Sequence, residues 1–504
     1  MRPLNLGICP LHGRTLLGES WLRSGFRFLV SVVSICALGL FLARAPLSMC
    51  FAAVVGPIVL VLLSLHPVMA LYALAFTIPF GSLYELSLGG FTIGASELLV
   101  IALVAAWLMR MMATRRVRVV RPRMAGALFC YLGALAISLL PARNLAPALK
   151  ELAKWVEFLF VMLFVASDCG PVERQRLVAV LLLAGTLEGM LGIYQFLRRV
   201  GPPGFVLFGR YMRAYGTFQQ PNPFGGYMGL LLPLAYTTVL GRFRDAKRSW
   251  VSGALWPAAL WCLALVASAV MLAALVMSWS RGALVGLAAG VVFVGLALGR
   301  KAGPALAGVV LLGALLGPSL VQALPPGLVA RLTDAAQYVG RRDLTAVEIT
   351  DENFAVVERA AHWYAAWRMF EQSPWLGVGT GQYATAYPTV ALPRWQDPLG
   401  HAHNYFLNVL AEGGLLGLAA YLAFVASAVG AAWRVVARER GWPRALALAA
   451  LGMLGHLLAH SMFDNLYVHE MYLLVAMLLG MMACLAGRRG EADAAILAPA
   501  RLGG

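Results

Sequence analysis

Apolar runs of about twenty residues recur along almost the whole of this 504-residue chain, and no soluble fold can bury so many of them. A bilayer core about 30 Å thick is crossed by a helix of about 20 apolar residues, so the chain reads as an all-α polytopic membrane protein. The runs are rich in Leu, Ala, Val and Gly and lack the short alternation of a membrane β-barrel. The chain is 61% hydrophobic and 12% charged, against roughly 45–50% and 25% in soluble domains, which excludes a soluble multidomain enzyme. The candidate spans are about 26–43, 48–65, 67–83, 93–112, 124–140, 153–168, 176–197, 222–241, 254–278, 282–299, 303–321, 405–433, 444–463 and 470–487. The first three are short or crowded, so the expected count is about 12–14.

Basic residues set the expected orientation, because Lys and Arg are retained in short cytoplasmic connections. They cluster in alternate links: Arg110 to Arg123, Arg174 with Arg176, Arg242 to Arg248, Arg300 with Lys301, Arg434 to Arg444, and Arg488 with Arg489. The formal charge of +17 is thus a topology signal that suits anionic headgroups, and no nucleic-acid partner is expected. The expected layout is a cytoplasmic N-terminal arm (1–27), a transmembrane bundle (28–321), a long extracytoplasmic loop (322–404), C-terminal transmembrane helices (405–487) and a cytoplasmic, disordered tail (488–504). The apolar stretch ending at Ala43-Arg44-Ala45 resembles a signal peptide, but an uncleaved first helix is the plainer reading. The seven cysteines form no CxxC pair, so neither a disulfide framework nor a zinc site is implied.

The face opposite the basic links carries the unusual residues. Within the long loop, 355–371 has helical periodicity with Val356, Ala360, Trp363, Trp367 and Phe370 on one stripe; such a helix either lies on the membrane surface, lids a cavity or simply packs. Arg210, Arg213, Arg281 and Arg359 fall on this outer face against the positive-inside bias. A guanidinium fork fits phosphate oxygens bidentately, so arginines gathered at the membrane boundary suit a diphosphate. Each taken alone has a plainer use, snorkelling to headgroups or pairing with a carboxylate such as Glu358.

Other polar groups stand out. His401-Ala402-His403-Asn404 precedes an apolar helix. A histidine there can take a proton from a hydroxyl, although such residues commonly cap helices. His456, His460 and Asp464 share a helical stripe at i, i+4 and i+8, read as an interhelical hydrogen-bond network with a metal site as the lesser alternative. Asp464 would then support the active face from the outer end. Glu188 is a mid-span carboxylate, either functional or protonated and bonded to a neighbour. Lys150, Glu151, Lys154 and Glu157 read as interfacial helix pairs. Gly377-Val378-Gly379-Thr380-Gly381 lacks a Walker lysine and a strand–helix unit, so it is not a nucleotide loop.

Four segments in order resemble the O-antigen ligase superfamily, which includes O-antigen polymerases and protein O-oligosaccharyltransferases. They are RAYGTFQQPNPFGGYMGLLLPLA, SWSRGALVGLAAG, ERAAHWYAAWRMFEQSPWLGVGTGQYATAYP and HAHNYFLNVLAEGGLLGLAAYLAF, together covering roughly 205–435. The resemblance implies a fold like the C-type glycosyltransferases. It also implies an undecaprenyl-diphosphate-linked glycan donor, used on the outer face of the cytoplasmic membrane without metal, nucleotide or other cofactor. Arg213 and Arg281 look like the family's diphosphate-holding arginines, Arg359 like its loop arginine, and His403 like its catalytic histidine. Arg210 lies one step outside the motif. Asn404, His401, Asp464 and Glu188 are expected to support them. The expected function is a ligase-like transfer to a lipid- or glycan-borne hydroxyl, with a polymerase or protein oligosaccharyltransferase as alternatives and a membrane transporter as the alternative from another class.

Overall fold

The structure is a computed structural model that describes residues 66–81, 85–88, 91–115, 119–207, 209–252, 255–299, 347–350 and 353–497, with the isolated positions 32 and 63. The expected spans 26–43, 48–65 and 303–321, the N-terminal arm and the Ala43-Arg44-Ala45 site lie outside the described residues. From His66 onward the chain forms one unit, built almost wholly of helices.

In chain order these are α1 (Pro67–Thr77), α2 (Ala95–Thr114), α3 (Arg123–Ile137), α4 (Leu145–Asp168), α5 (Pro171–Arg198), α6 (Pro221–Ser252), α7 (Leu255–Met277), α8 (Arg281–Leu298), α9 (Phe354–Gln372), α10 (Tyr383–Ala386), α11 (Tyr405–Arg438), α12 (Gly441–His460) and α13 (Met471–Leu497). Seven of them are long and apolar enough to cross a membrane, and α1, α3 and Met471–Leu485 of α13 are shorter apolar helices. The protein is an all-α polytopic membrane protein. Four starts have a local cause: Asn144 caps α4, Ser280 caps α8, Asn404 caps α11, and Pro171 opens α5.

The structure departs from the expected boundaries at several elements. The helix expected at 153–168 begins at Leu145 and so takes in the charged pairs before it: Lys154 pairs with Glu151 at 2.6 Å and Glu151 accepts from Trp155 Nε1. The last helix continues past 487 to Leu497. Two hairpins were not foreseen, β1 (Glu85–Leu88) with β2 (Phe91–Gly94), and β3 (Val206–Leu207) with β4 (Tyr211–Met212).

The long loop docks on α11 through a break in that helix. Gly414 adopts φ 61° and ψ −161°, which only glycine takes readily. In an unbroken helix, Leu415 and Leu416 N–H would bond Ala411 and Glu412 carbonyls. Here they donate to Pro374 and Trp375 carbonyls instead, and the freed Ala411 and Glu412 carbonyls accept from Val378 and Gly379 N–H. Glu412 Oε1 also accepts from Tyr383 N at 2.9 Å. The glycine-rich segment 377–381 therefore mends a broken helix.

Helices α6, α8 and α12 meet along a glycine ladder. Gly282, Gly286 and Gly290 of α8 recur every four residues toward α12. A Cβ would lie 2.6 Å from His460 at the first, 2.7 Å from His456 at the second and 2.7 Å from the Gly452 carbonyl at the third. Gly226 and Gly229 of α6 face the same two histidines. Small residues of this kind let helices approach closely in a bilayer. His456 and His460 bond each other at 3.3 Å within α12, not between helices as the stripe was read.

This packing generates the first prediction. Gly286→Ala should destabilise the protein by about 1–3 kcal/mol through overpacking, and most of that cost should vanish in a His456→Ala background. Melting of the two single variants and the double variant in detergent measures the coupling; additive effects would reject the contact.

Candidate functional site

A cavity of about 790 Å³ opens where α8 begins, α9 crosses and α12 ends. Arg213, Arg281, Arg359, His401, His403, His460 and Asp464 all line it. Residues separated by as many as 251 positions in sequence thus share one chamber. Of the other expected site residues, Arg210 is exposed with its guanidinium over the Tyr211 ring, and Glu188 and Asn404 do not line the cavity.

Arg213 is held by its neighbours. Its backbone N–H donates to Phe205 O, its Nε to Ser278 O at 2.9 Å, and its Nη2 to Asn222 Oδ1 at 2.9 Å. The loop that carries it is braced from α5. Glu188 Oε1 accepts from Thr217 N at 2.7 Å, while Gln195 accepts from Tyr215 and Gly216 N and donates to Gly216 O. Glu188 is therefore a loop brace, and Gln195, missed in the sequence, is its companion. The only signal that could have found Gln195 is a buried amide seven residues along the same helix from Glu188.

Arg281 is the first residue of α8. A helix N-terminus carries partial positive charge and unpaired amides, so a cation there adds to a field that favours an anion. Arg359 ties α9 down: Nε donates to Phe463 O and Nη1 to Ala355 O. Between them Glu358 is half-buried; burial raises its carboxyl pKa, opposed by His403 and Arg359.

The carboxylate of Asp464 is the hub. His403 Nδ1 lies 3.4 Å and His401 Nε2 3.8 Å from Asp464 Oδ1, which also accepts from Asn465 N at 2.9 Å. The sequence placed Asp464 on a stripe with His456 and His460. That stripe ends at His460, where α12 stops, and the following turn carries the carboxylate to the other two histidines. Both imidazole rings line the cavity, 4.4 Å apart and edge to face. His403 has φ 51°, a left-handed backbone that a non-glycine residue holds only under constraint. The constraint is its neighbours: His403 N donates to His401 Nδ1 at 3.1 Å, and Trp363 Nε1 donates to His403 O.

These bonds fix tautomers. Since His401 Nδ1 accepts, a neutral His401 carries its proton on Nε2, toward Asp464. Asp464 in turn favours the proton of His403 on Nδ1 and leaves the lone pair on Nε2. Burial opposes ionisation of Asp464, but the hydrogen bond from His403 and the charges of His401, His403 and Arg359 hold its carboxyl well below the usual range. Burial brings His401 down to about 4 against the pull of Asp464, helped by the charges of His403 and Arg359.

Among the described residues, His401, His403 and Asp464 are the one group whose ligand atoms lie within 4.8 Å of one another. In the tautomer set by the His403 N–H to His401 Nδ1 bond, His401 Nε2 carries a proton and has no lone pair for a cation. His362, also missed in the sequence, packs edge-on against His403 at 5.5 Å, stacks on Tyr387 at 4.8 Å and meets the Tyr383 hydroxyl at 3.0 Å. Burial, with the charges of His403 and His401, lowers it to about 4.

Residues 263–422 match the O-Antigen ligase family. The match bears out the resemblance read from the motifs, and supports a glycan-transfer function of that family. It contains Arg281, Arg359, His401 and His403, while Arg213 and Asp464 lie outside it. A comparison with curated proteins found no match.

The histidines generate a pH prediction. His362 and His401 are neutral in the fold down to about pH 4, whereas an unfolded histidine protonates near 6.5. Between those values the unfolded chain binds more protons, so stability falls as pH falls. Melting temperature should drop from pH 6.5 to 4, and drop less in His362→Gln. Parallel curves for the two proteins would contradict the assignment.

Proposed function

We propose that this protein is an O-antigen ligase-like glycosyltransferase. It moves a glycan from an undecaprenyl-diphosphate donor to an acceptor hydroxyl at the outer face of the cytoplasmic membrane, without metal or cofactor. The observation that carries this reading is one chamber lined by three arginines and a His–Asp pair. Arg213 and Arg281 face the diphosphate, with α8's N-terminus behind Arg281, and Arg359 closes the roof. His403 is the catalytic base, Asp464 and His401 orient it, and Asn404 starts the helix beside it by accepting from Leu407 N. Arg210 is left outside the catalytic assignment.

The acceptor hydroxyl gives its proton to His403 Nε2 as its oxygen attacks the anomeric carbon. The bond from that carbon to the diphosphate oxygen breaks, and the electron pair leaves with the diphosphate. Arginines neutralise the charge that grows there. Asp464 stabilises the imidazolium, and proton transfer of this kind is worth about 10²–10⁴-fold. A transporter would place its ionisable groups near the bilayer midplane; here they gather at helix ends.

The outer-face assignment is supported by helix direction. The cavity lies at the starts of α8 and α11 and the end of α12, whereas Arg434, Arg438, Arg440 and Arg444 lie at the opposite ends of α11 and α12. A cysteine at exposed Gln396 should react with a membrane-impermeant thiol reagent in intact cells, and one at Thr114 should react only after permeabilisation. The reverse pattern would overturn the orientation.

Transfer from a polyprenyl-diphosphate glycan by the purified protein tests the chemistry. Arg213→Lys and Arg281→Lys should each lose activity, because lysine keeps charge but not the planar fork. His403→Gln and Asp464→Asn should lower turnover by about 10²-fold or more with donor binding largely kept, and EDTA should change nothing. Wild-type turnover in folded His403→Gln would remove the base; EDTA loss restored by a divalent ion would remove the metal-free mechanism.

A further inference from the structure

A second cavity, of about 680 Å³, lies at the far end of the helices that form the first. Arg438 ends α11, Glu439 and Arg440 form the two-residue link, and Arg444 lies in the first turn of α12; all four line it, with Ala297 of α8 opposite. Along α12 it is about 24 Å from His460 at 1.5 Å per residue, the scale of a bilayer core.

Its charges are unbalanced. Three guanidinium groups face one carboxylate. Among the described residues, none of the four forms a salt bridge, and Arg444 Nε is buried without a hydrogen-bond partner. α12 has no acidic residue in its first turn and no side-chain cap from Arg440. Arg438 at the C-terminal end of α11 suits that helix dipole, but Arg440 and Arg444 oppose the dipole of α12 at its positive end and are left without a compensating anion. An anion would reverse that, since guanidinium forks match phosphate oxygens.

We propose that this cavity binds the phosphate group of an anionic phospholipid. The apolar surface beside it favours a lipid over a soluble anion. Leu296 of α8 and Trp433 of α11 are 57% and 44% exposed within a turn or two of the lining residues, where acyl chains would run. Trp442 flanks the site with the Arg242 guanidinium 4.3 Å over its ring, as expected of an aromatic at the membrane interface. The site is independent of the glycan-transfer chamber.

Native mass spectrometry of the detergent-purified protein tests this, with added phosphatidylglycerol, phosphatidylcholine or inorganic phosphate. Phosphatidylglycerol should be retained in preference to phosphatidylcholine. Arg440→Gln and Arg444→Gln should weaken that retention about tenfold or more, the scale of one charge-assisted hydrogen bond, and Arg434→Gln, outside the cavity, should not. In delipidated detergent Arg444→Gln should melt at or above wild type, because the unfavourable charge is gone; phosphatidylglycerol should then stabilise wild type only. Equal retention in all variants would overturn the site. Stabilisation of wild type by millimolar phosphate as large as that by the lipid, and lost in Arg444→Gln, would assign a soluble anion and overturn the lipid.

Discussion

The exchange of backbone hydrogen bonds at the break in α11 holds the site together. A helix interrupted within a bilayer frees amides and carbonyls that lipid cannot satisfy. Here Pro374, Trp375, Val378 and Gly379 satisfy all four freed groups. The exchange has a geometric consequence. Gln372, at the end of α9, is only two residues from Pro374, so fixing 374–379 on α11 fixes where α9 ends. The start of α9 is tied separately, through Arg359 to Phe463. A helix pinned at both ends then lays Glu358, Arg359 and Trp363 across the cavity.

The floor below that roof has a different origin. Gly282 and His460 line it, and beneath them the glycine faces of α6 and α8 pack against His456 and His460. Glycine there removes side chains so that two imidazoles fit between helix backbones, and close packing of this sort leaves few alternative arrangements. Arg281 rises from the same helix as the ladder, one residue before Gly282. Its position is therefore set by helix packing, whereas Arg213 depends on a loop and needs the Glu188 and Gln195 brace.

Much of this was legible in the sequence, for physical reasons. A bilayer imposes one length on every span, so eleven expected spans find helices within the described residues, and the 355–371 periodicity is α9. Arg213, Arg281 and Arg359 stood out because arginine opposite the basic links runs against the expected charge bias, and His403 because it precedes an apolar helix; all four line one cavity. What was hidden depends on chain direction changes that no periodicity reports. Asp464 was assigned to a helical stripe, but α12 ends at His460 and the turn redirects the carboxylate to His401 and His403. The glycine-rich 377–381 segment was read as no nucleotide loop, but its structural partner, a break 37 residues onward at Gly414, leaves no mark until the two are seen together. His362 and Gln195 lie inside helices whose pattern is dominated by apolar residues, and their roles come from neighbours distant in sequence.

The two histidines of the site follow from the same logic of fixed neighbours. A histidine at φ 51° would relax if its backbone N–H were free, and His401 Nδ1 prevents this by accepting from it. That acceptance obliges the other His401 nitrogen to carry a proton, so His401 faces Asp464 as a donor. Asp464 Oδ1 thereby accepts from one amide and faces two imidazole nitrogens, at 3.4 Å and 3.8 Å. A carboxylate so loaded stays ionised, and an ionised Asp464 keeps the His403 proton on Nδ1. The lone pair left on Nε2 thus traces back to a backbone hydrogen bond two residues away, and in the proposed reaction His401 is the residue that orients the base.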